Sequence, residues 1–571
     1  MTLNRRPNYW IKAGSRPFSR RGMLKGIGVA GAGTATLGLV GCGNDDDDDA
    51  APPPPTDDDD NGAAPAPSNG DPVQGGTFQM ANRPWEVSMD PHATNRPEMI
   101  LLWKEVSHPL LEIDDQNMVY DGGVAESHEI VDDTTLVFNL HSGITYHDKP
   151  PTNGRPFTAE DVKYSLERLM GPDSTRASAF ETISNIEAPD DHTIRITLSQ
   201  PHAPILYALG ATYHVMVARE AVEQYGHLDH PEAVVGVGPF IAERASKDTG
   251  ATLVRNPNYF RNGLPYLDQV ELVPVQDPSV AIPNAFRAGQ SDVANLNPAD
   301  LEQAQQQYPD ITWAPSTGAG VVYGMFFNHA AEPWTDWRVR RAVHLVTNRQ
   351  SIGQAINGDD YWLVAPVNPP LGAIALSEEE LLQMPGYRAD KDEDIAEARQ
   401  LLEAAGYDNG FEDLEFDMIS SAQSNYSEQW EVFIPQLESL GAQINMQAME
   451  HASFKGAEAD KNFDFSMSAL LVDAEAHSLL NLIHRTDASR NYCNYSNEEA
   501  DALIEAQARE FDVEARNELC REASRVLIED VAYAWTVNQW GFNAQREYVH
   551  DYPVNPADQF GSRLVRVWMS A

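Results

Sequence analysis

Three glycines near the amino terminus have the spacing of a nucleotide-binding loop. Gly26, Gly28 and Gly31 lie in the stretch GIGVAG and fit the pattern G-x-G-x-x-G. In a dinucleotide-binding fold, such a loop follows a buried strand and opens a helix, and an acidic residue about 20 positions later binds the ribose. The chemistry that this spacing would support is hydride transfer with a bound dinucleotide.

The residues around these glycines predict an export signal instead. They follow the charged stretch SRRGMLK (19–25), and residues 1–41 contain seven Lys or Arg and no acidic residue. The apolar segment that comes next has only about fifteen residues, too few to span a bilayer core of ~30 Å comfortably. Because it ends in LVGC (39–42), we interpret 1–41 as a twin-arginine lipoprotein signal and Cys42 as the lipidated residue.

The rest of the sequence lacks the common catalytic motifs. It contains no H-E-x-x-H, G-x-S-x-G or G-x-x-x-x-G-K-[ST] pattern. His141 and His147 flank a short strand-like segment without a third ligand nearby, which predicts histidines on a strand surface rather than a metal site. The sequence therefore predicts a protein that is not an enzyme and needs no cofactor or metal.

Several aromatic residues could line a binding site. Aromatic side chains with a few polar anchors suit a cleft that encloses a small ligand, although any single Trp is more often part of a core. The tryptophans that lie beside predicted loops are Trp85, Trp334, Trp337, Trp362, Trp430 and Trp540.

The elements that would position such a cleft alternate between strands and helices. Helix starts are predicted at Thr158, at Asn297 and at Ser496, and a further helix covers 393–405 and ends at Gly406. Strands are predicted at 134–140, 193–198, 269–275, 414–419, 463–470 and 563–568. This order predicts a mixed α/β body.

Charge and length restrict the possible partners. The 571 residues carry a net charge of −46, and without the seven basic residues of the signal the charge is −53. Such a surface repels nucleic acid and anionic lipid, and it fits either a salty habitat or ordinary solubility.

The body exceeds what one core usually supports, so two or more lobes are expected. Cys493 and Cys520 could form a disulfide outside the cytoplasm or remain free.

Residues 42–71 are predicted to be a tether without a core. Residues 43–71 contain ten aspartates and a run of prolines, and charge repulsion together with polyproline stiffness extends such a chain.

Several stretches of the body, in order, resemble family 5 extracellular solute-binding proteins, the peptide/nickel class of ABC importers. The most specific are AESHEIVDDTTLVFNLHSGITYHD (125–148) and PFTAEDVKYSLERL (156–169). Supporting stretches are GGTF (75–78), MDPH (89–92), VGPF (237–240), NPNYFRNGLPYLDQVEL (256–272), FFNHAAEPWTDWRVRRAVHLVTNRQSI (326–352), AEARQLLEAAGY (396–407) and FIPQLESLGAQI (433–444).

The resemblance implies an α/β fold of the two-lobed periplasmic-binding-protein type (type II, cluster C-like), with an extra domain inserted in lobe 1. It also implies a small-molecule ligand enclosed by hinge closure, an ABC permease as partner, and a location outside the cytoplasm, at the membrane through Cys42. The implied domains are I (72–117, 233–315 and 539–571), II (118–232, inserted) and III (316–538).

The resemblance also implies site residues. Peptide binders of this family carry an Asp on domain III that pairs with the peptide ammonium, in a pattern like W-x-x-D-Y-x-D-P. In LLVDAEAH (470–477), Asp473 matches this Asp and Leu470 replaces the aromatic residue. Asp473 could instead cap a helix or lie on the surface. Further residues expected to line the cleft are Asn95, Tyr323, Trp430 and Trp540.

The ligand class stays open at this point. A peptide is expected, but the changed residues beside Asp473 leave an oligosaccharide, an opine or a nickel or other metal chelate as alternatives. An alternative of a different class is an exported enzyme whose site is assembled from distant residues.

Overall fold

The computed structural model describes residues 11–12, 71–85, 88–94, 98–114, 118–316, 318–555 and 563–570. Of the predicted export signal it describes only the two-residue strand Ile11–Lys12. Cys42, residues 43–70 of the predicted tether and Asn95 lie outside the described residues.

Three four-stranded sheets form the first lobe, as far as the structure describes it. In spatial order, the first contains Thr77–Asn82, Gln269–Pro274, Gly250–Arg255 and Phe240–Ser246; the second contains Ala125–Asp132, Thr135–Leu140, Thr193–Leu198 and Ile183–Asp190; and the third contains Ile11–Lys12, Thr312–Ser316, Gly541–Gln545 and Val293–Leu296. The short ribbons are Glu112–Ile113 with Val119–Tyr120, and Val549–His550 with Trp568–Met569. The helices are Glu98–Val106, Ala159–Leu169, Pro204–Gly210, Arg219–Tyr225, Pro278–Arg287 and Pro298–Gln307.

One five-stranded sheet carries the second lobe within the described residues. Its strands, in spatial order, are Gln443–Met449, Glu415–Ser421, Phe465–Leu471, Val321–Phe327 and Ala534–Trp535. A ribbon of Tyr361–Leu363 and Val537–Gln539 lies beside it. The helices are Trp337–Val346, Arg349–Asn357, Glu378–Gln383, Asp392–Ala404, Ser424–Glu438, His451–Ala459, Ala476–Leu479, Glu498–Arg509 and Val513–Glu529.

The buried side chains divide the chain at the same two places as the sheets. The apolar clusters of lobe 2 are drawn from Ala319 to Val537, whereas those of lobe 1 come from residues up to Ala314 and from Phe542 onward. The chain therefore crosses between the lobes near 318–320 and again near 539–541. Each lobe has its own core, and the molecule is a two-lobed α/β protein.

Most strand predictions are confirmed, because their apolar residues pack into the cores of the two lobes. The strands Thr193–Leu198 and Phe465–Leu471 match the predicted runs closely. The prediction for 563–568 is wrong, since Leu564–Arg566 forms a 3₁₀ turn. Its backbone is satisfied by a buried acid rather than by a neighbouring strand: the Leu564 N–H donates to Oε1 of Glu105 at 3.0 Å.

Two of the three predicted helix starts are confirmed, and the third lies one residue further along the chain. Ala159–Leu169 opens with a capping box in which the Thr158 N–H donates to the Asp161 carboxylate at 2.9 Å. The Asn297 side chain accepts the Asp300 N–H at 2.8 Å. The cap predicted at Ser496 is wrong by one residue, because Asn497 accepts the first free N–H groups of its helix.

His147 is not a surface histidine of a strand, in contrast to the prediction. Its ring is buried, and its Nε2 lies 3.1 Å from the carbonyl oxygen of Gly238. Burial lowers the pKa of His147 to about 4, so the ring is neutral at pH 7. Cys493 and Cys520 are both buried and unpaired in the structure.

Candidate functional site

Three parallel strands of lobe 2 end at one edge of its sheet. Glu415–Ser421 runs parallel to both Gln443–Met449 and Phe465–Leu471. In open α/β sheets, ligands bind in the crevice beyond the carboxyl ends of such strands. Asp473 follows the last strand by two residues and so lies at this edge.

A glycine on the first crossing between the lobes holds the Asp473 segment in place. The Val472 N–H donates to the carbonyl oxygen of Gly320 at 3.0 Å. A Cβ atom on Gly320 would lie only 2.0 Å from the Val472 carbonyl oxygen. Only a residue without a side chain allows the two backbones to approach this closely, so the position of Asp473 depends on Gly320.

Asp473 meets two side chains of lobe 1, and we call Arg176, Tyr213 and Asp473 together the Asp473 contact. The Tyr213 hydroxyl donates to Oδ1 of Asp473 at 3.1 Å, and Nη1 of Arg176 lies 3.5 Å from the same oxygen. The Asp473 side chain is 42% exposed and that of Arg176 is 15% exposed. An ion pair this long and this open to water contributes about 1 kcal/mol or less, so it can be exchanged for another partner.

The lobe 1 side of the Asp473 contact is ordered by stacking. The guanidinium carbon of Arg176 lies 4.1 Å from the centroid of the Tyr213 ring, in a cation–π arrangement. Nε of Arg176 is buried and has no hydrogen-bond partner among the described residues. Burial, reinforced by the nearby Asp473 charge, raises the pKa of Tyr213 well above its usual value, so its hydroxyl stays protonated and donates.

A narrow crevice opens next to Arg176 and Tyr213. Its wall combines these two polar side chains with apolar and aromatic groups from the start of lobe 1. The other lining residues are Pro91, Thr94, Met99, Ile100 and Trp103. The crevice has a volume of about 10 Å³, so in this conformation it has room for roughly one water molecule.

The lobes also touch at a second place, which we call the His477 contact: His202 and Ala203 of lobe 1 with His477 and Ala508 of lobe 2. The Ala203 N–H donates to the Ala508 carbonyl at 2.7 Å, and the two imidazole rings pack edge to face with centroids 5.2 Å apart. Burial lowers the pKa of both histidines to about 4. Both rings are therefore neutral at pH 7.

The structure distinguishes Asp473 from a helix cap. The residue that caps Ala476–Leu479 is Glu475, whose side chain accepts the Ser478 N–H at 2.9 Å. Leu470, predicted beside Asp473 in the cleft wall, is buried in the lobe 2 core, opposite Val322 on the next strand. The structure thus brings Asp473, but not Leu470, to the lobe boundary.

The other predicted residues lie at three different places. Tyr323 is half-buried on Val321–Phe327, near the sheet edge, and its ring packs edge to face with Tyr426 at a centroid distance of 6.1 Å. Trp430 packs against the lobe 2 core. Trp540 contacts a cluster of each lobe at the second crossing.

Sequence reasoning missed Arg176 and Tyr213. They are 297 and 260 residues away from Asp473, and neither belongs to a recognisable motif. Only the folded arrangement of the two lobes brings them to the same carboxylate.

Metal ligation has no support in the described part of the chain. No group of three or more His, Cys, Asp or Glu side chains there is arranged to hold a metal ion. Among the helices that the structure describes, none combines the length and the apolar character needed to cross a membrane.

Two α/β lobes connected by two crossings, with a charged contact at their boundary, define a class of extracytoplasmic binding proteins that close around a ligand. The chain belongs to the bacterial extracellular solute-binding proteins, family 5, whose defining pattern matches residues 120–489.

Similar proteins cover nearly the whole body. The chain is 25% identical over 533 residues to the probable deoxycholate-binding periplasmic protein YgiS of Escherichia coli, covering 88% of this chain and 95% of that one. It is 25% identical over 463 residues to di/tripeptide-binding protein 1 of Pseudomonas aeruginosa, covering 76% and 83%. The structure of HbpA2 from Haemophilus parasuis superposes with a TM-score of 0.75 at 20% identity, covering 87% and 100%. The fold is therefore that of the family.

Proposed function

We propose that the chain is a lipid-anchored, extracytoplasmic solute-binding protein that captures a peptide between its lobes and delivers it to an ABC permease. The observation that carries this proposal is Asp473, a half-exposed carboxylate at the lobe 2 sheet edge that faces lobe 1. A carboxylate in this place can bind the ammonium group at a peptide's amino terminus through a charge-assisted hydrogen bond. The name of the Pseudomonas relative, a di/tripeptide-binding protein, supports the peptide class.

Capture would work by hinge closure about the two crossings. A ligand that binds Asp473 and the lobe 1 side chains at the same time makes all of its contacts only when the lobes are closed, so it shifts the population toward that state. Moving the equilibrium from 1:99 to 99:1 requires about 5.5 kcal/mol of preferential binding to the closed state. Trp540, packed against both lobes, lies where the hinge would bend.

The domain division within this proposal follows the resemblance. Domain I comprises 72–117, 233–315 and 539–571, domain II is the inserted segment 118–232, and domain III is 316–538. The sheet from Ala125–Asp132 to Ile183–Asp190 falls within the proposed domain II. Its core is continuous with that of domain I, so the two would move as one lobe.

Membrane attachment is proposed from the sequence. Lipid on Cys42 would hold the protein at the outer face of the cell membrane, and the tether of 42–71 would separate it from the bilayer. At ~3 Å per residue, an extended polyproline-like tether of this length reaches several nanometres.

The peptide assignment is tested by thermal unfolding and calorimetry with dipeptides, tripeptides and longer peptides. A ligand at 100 times its Kd adds ~2.7 kcal/mol to the free energy of unfolding. In Asp473→Asn the affinity should fall about 10- to 100-fold, since a hydrogen bond to a charged group contributes roughly 1.5–3 kcal/mol. Asp417→Asn, an exposed aspartate on another strand of lobe 2, serves as the matched control and should bind as the wild type does.

Two results would contradict the proposal. Unchanged peptide affinity in Asp473→Asn would remove Asp473 as the anchor. A stabilising effect of an oligosaccharide, an opine or a nickel chelate, with no effect of any peptide, would replace the ligand class and leave the family unchanged.

A further inference from the structure

The hydrogen bonds behind the His477 contact require an unprotonated ring nitrogen. Nε2 of Gln507 lies 2.7 Å from Nδ1 of His477. The same amide nitrogen donates to the Ile504 carbonyl at 2.9 Å, while Oε1 of Gln507 accepts the Nε–H of Arg516 at 3.2 Å. Both ends of the amide are therefore assigned: Nε2 donates, and Nδ1 of His477 has to accept.

The Gln507 amide is held in this orientation from behind. Glu475 pairs with Arg516 at 2.6 Å, and the two side chains are only 6% and 16% exposed. A flipped amide would bring its oxygen against the Ile504 carbonyl and its N–H groups against the guanidinium of Arg516. A proton on Nδ1 of His477 would thus meet a donor that cannot turn away, and the bond would be lost.

The charges around the two rings also oppose protonation. The charged side chains that act on them are Glu475 and Arg516 for both rings, and Arg485 for His477. The single acid in this group is already paired with Arg516. If His202 and His477 were both protonated, two cations would lie with their ring centroids 5.2 Å apart, and like charges at this distance repel.

The His477 contact joins parts of the chain that move apart when the lobes open. Beside the bond from Ala203 to Ala508, the Tyr207 hydroxyl of lobe 1 donates to the Ala474 carbonyl of lobe 2 at 3.2 Å. Phe511 of lobe 2 packs against the apolar cluster of lobe 1. None of these residues belongs to the two crossings, so a rotation about the crossings would break their contacts.

We propose that the His477 contact is a proton-sensitive latch: with neutral rings it favours closed lobes, and protonation of His202 and His477 favours open lobes. This inference goes beyond the proposed function and rests only on its hinge motion, not on the class of ligand. A ligand that needs both lobes for its contacts would be held at neutral pH and released in acid, because its apparent affinity follows the population of the closed state.

The pH range of the latch follows from the two histidines. Burial lowers the pKa of each ring to about 4 in the contact, against an ordinary value of 6.5. As the pH falls below 6.5, the open state therefore binds protons that the closed state does not. At pH 5 this difference shifts the equilibrium toward the open state by up to roughly 30-fold for each ring.

The test measures amide hydrogen exchange at Ala203 in the mature protein. Its N–H bonds across the lobes to Ala508, and neighbouring Pro201 and Pro204 have no N–H that would obscure the signal. Mass spectrometry at pH 7 and pH 5, corrected for the intrinsic exchange rates, should show at least a 10-fold loss of protection at pH 5. Small-angle X-ray scattering should show a larger radius of gyration at pH 5, with an unchanged circular dichroism spectrum.

Variants separate titration from a purely structural role. His202→Phe keeps a ring and His202→Gln keeps a polar side chain, but neither titrates in this range. Both should show no more than a third of the wild-type loss of protection between pH 7 and pH 5. Tyr207→Phe is the matched control, since it removes a hydroxyl that donates across the lobes and is not ionised between pH 5 and 7. It should speed exchange at Ala203 by the same factor at both pH values.

The outcomes distinguish the latch from the proposed function. Equal protection and an equal radius of gyration at the two pH values would overturn the latch, as would a full wild-type pH effect in both His202 variants, and peptide capture would stand. If acid opens the lobes as expected while no peptide stabilises the protein at pH 7, the latch stands and the peptide assignment fails.

Discussion

Two of the contacts between the lobes, the Asp473 contact and the His477 contact, differ in charge and in the kind of interaction that they make. The Asp473 contact is built from an ion pair with a half-exposed carboxylate. The His477 contact is built from two partly buried neutral rings and a backbone hydrogen bond of 2.7 Å between Ala203 and Ala508. Water can replace the ion pair of the first contact, whereas the second contact combines ring packing with a backbone hydrogen bond.

This difference indicates how the boundary opens. A contact that depends on exchangeable charges loses little when water or a ligand replaces the partner. The His477 contact loses both a backbone hydrogen bond and the packing of two rings when it opens. We expect the lobes to separate first at the Asp473 contact, with the His477 contact retained for longer.

Acid should weaken the His477 contact and produce the largest of the effects predicted here. His202 has a folded pKa of about 4, below the ordinary value of 6.5. Neutral His202 contributes fully to the free energy of unfolding above pH 6.5. This contribution is lost as the pH falls toward 4, because the unfolded chain binds a proton at this residue at a higher pH than the folded protein does. The free energy of unfolding should fall by about 2–3 kcal/mol between pH 7 and pH 4.5 through this residue. Urea unfolding at several pH values measures it.

A variant isolates this effect from the other titrating groups, among them the buried His147, His214 and His484. His202→Gln removes one titrating ring at the contact, and its stability should depend less steeply on pH than that of the wild type. Equal slopes for the two proteins would show that His202 is protonated as easily in the folded protein as in the unfolded chain.

Gly320→Ala should break the Asp473 contact by moving Asp473. The added Cβ would overlap the Val472 carbonyl oxygen, and overpacking of this kind costs about 1–3 kcal/mol. We expect this loss in urea unfolding, together with weaker ligand binding.

Gly318→Ala is the control for Gly320→Ala, because its Cβ would lie 3.5 Å from the nearest atom, a methyl group of Val321. The control should keep the affinity of the wild type. Equal affinities for the two alanine variants would mean that the crossing does not position Asp473.

Tyr213→Phe tests the Asp473 contact by removing a single hydroxyl group, and we expect it to have the smallest of these effects on stability. It keeps the ring under Arg176 and removes the hydroxyl that donates to Asp473. Since water can replace this donor at a half-exposed carboxylate, the free energy of unfolding should fall by only about 1 kcal/mol. Chemical denaturation measures the change. A loss of several kcal/mol would show that Asp473 is better shielded from water than its exposure indicates.

Much of the fold follows from local patterns, because alternating apolar residues and capping groups act over a few residues. The strand Thr193–Leu198 and the helix that begins after Thr158 are of this kind. The segment 563–568 shows the limit: its valines and its Trp are typical of a strand, but buried acids of lobe 1, Glu105 and Glu112, bind it as a turn.

Only the lobe 2 side of the candidate site could be predicted from the sequence. Asp473 could be proposed because a family pattern surrounds it. Leu470 was placed beside it, although the side chains of a strand alternate between faces and this one points to the core. Arg176 and Tyr213 could not be found, since their role depends on how two lobes meet and not on their neighbours in the sequence.

The order of strands in the third sheet of lobe 1 has a consequence for biosynthesis. Gly541–Gln545, one of the last strands to leave the ribosome, lies between Thr312–Ser316 and Val293–Leu296 and is hydrogen-bonded to both. Lobe 2 comes from one uninterrupted stretch of chain, whereas lobe 1 also needs residues that are translated after lobe 2. At roughly 5–20 residues per second, the first lobe stands incomplete for tens of seconds while the second is being translated. A premature stop after residue 540 would thus leave the sequence of lobe 2 complete, whereas lobe 1 would lack the strand that joins the two sides of its third sheet.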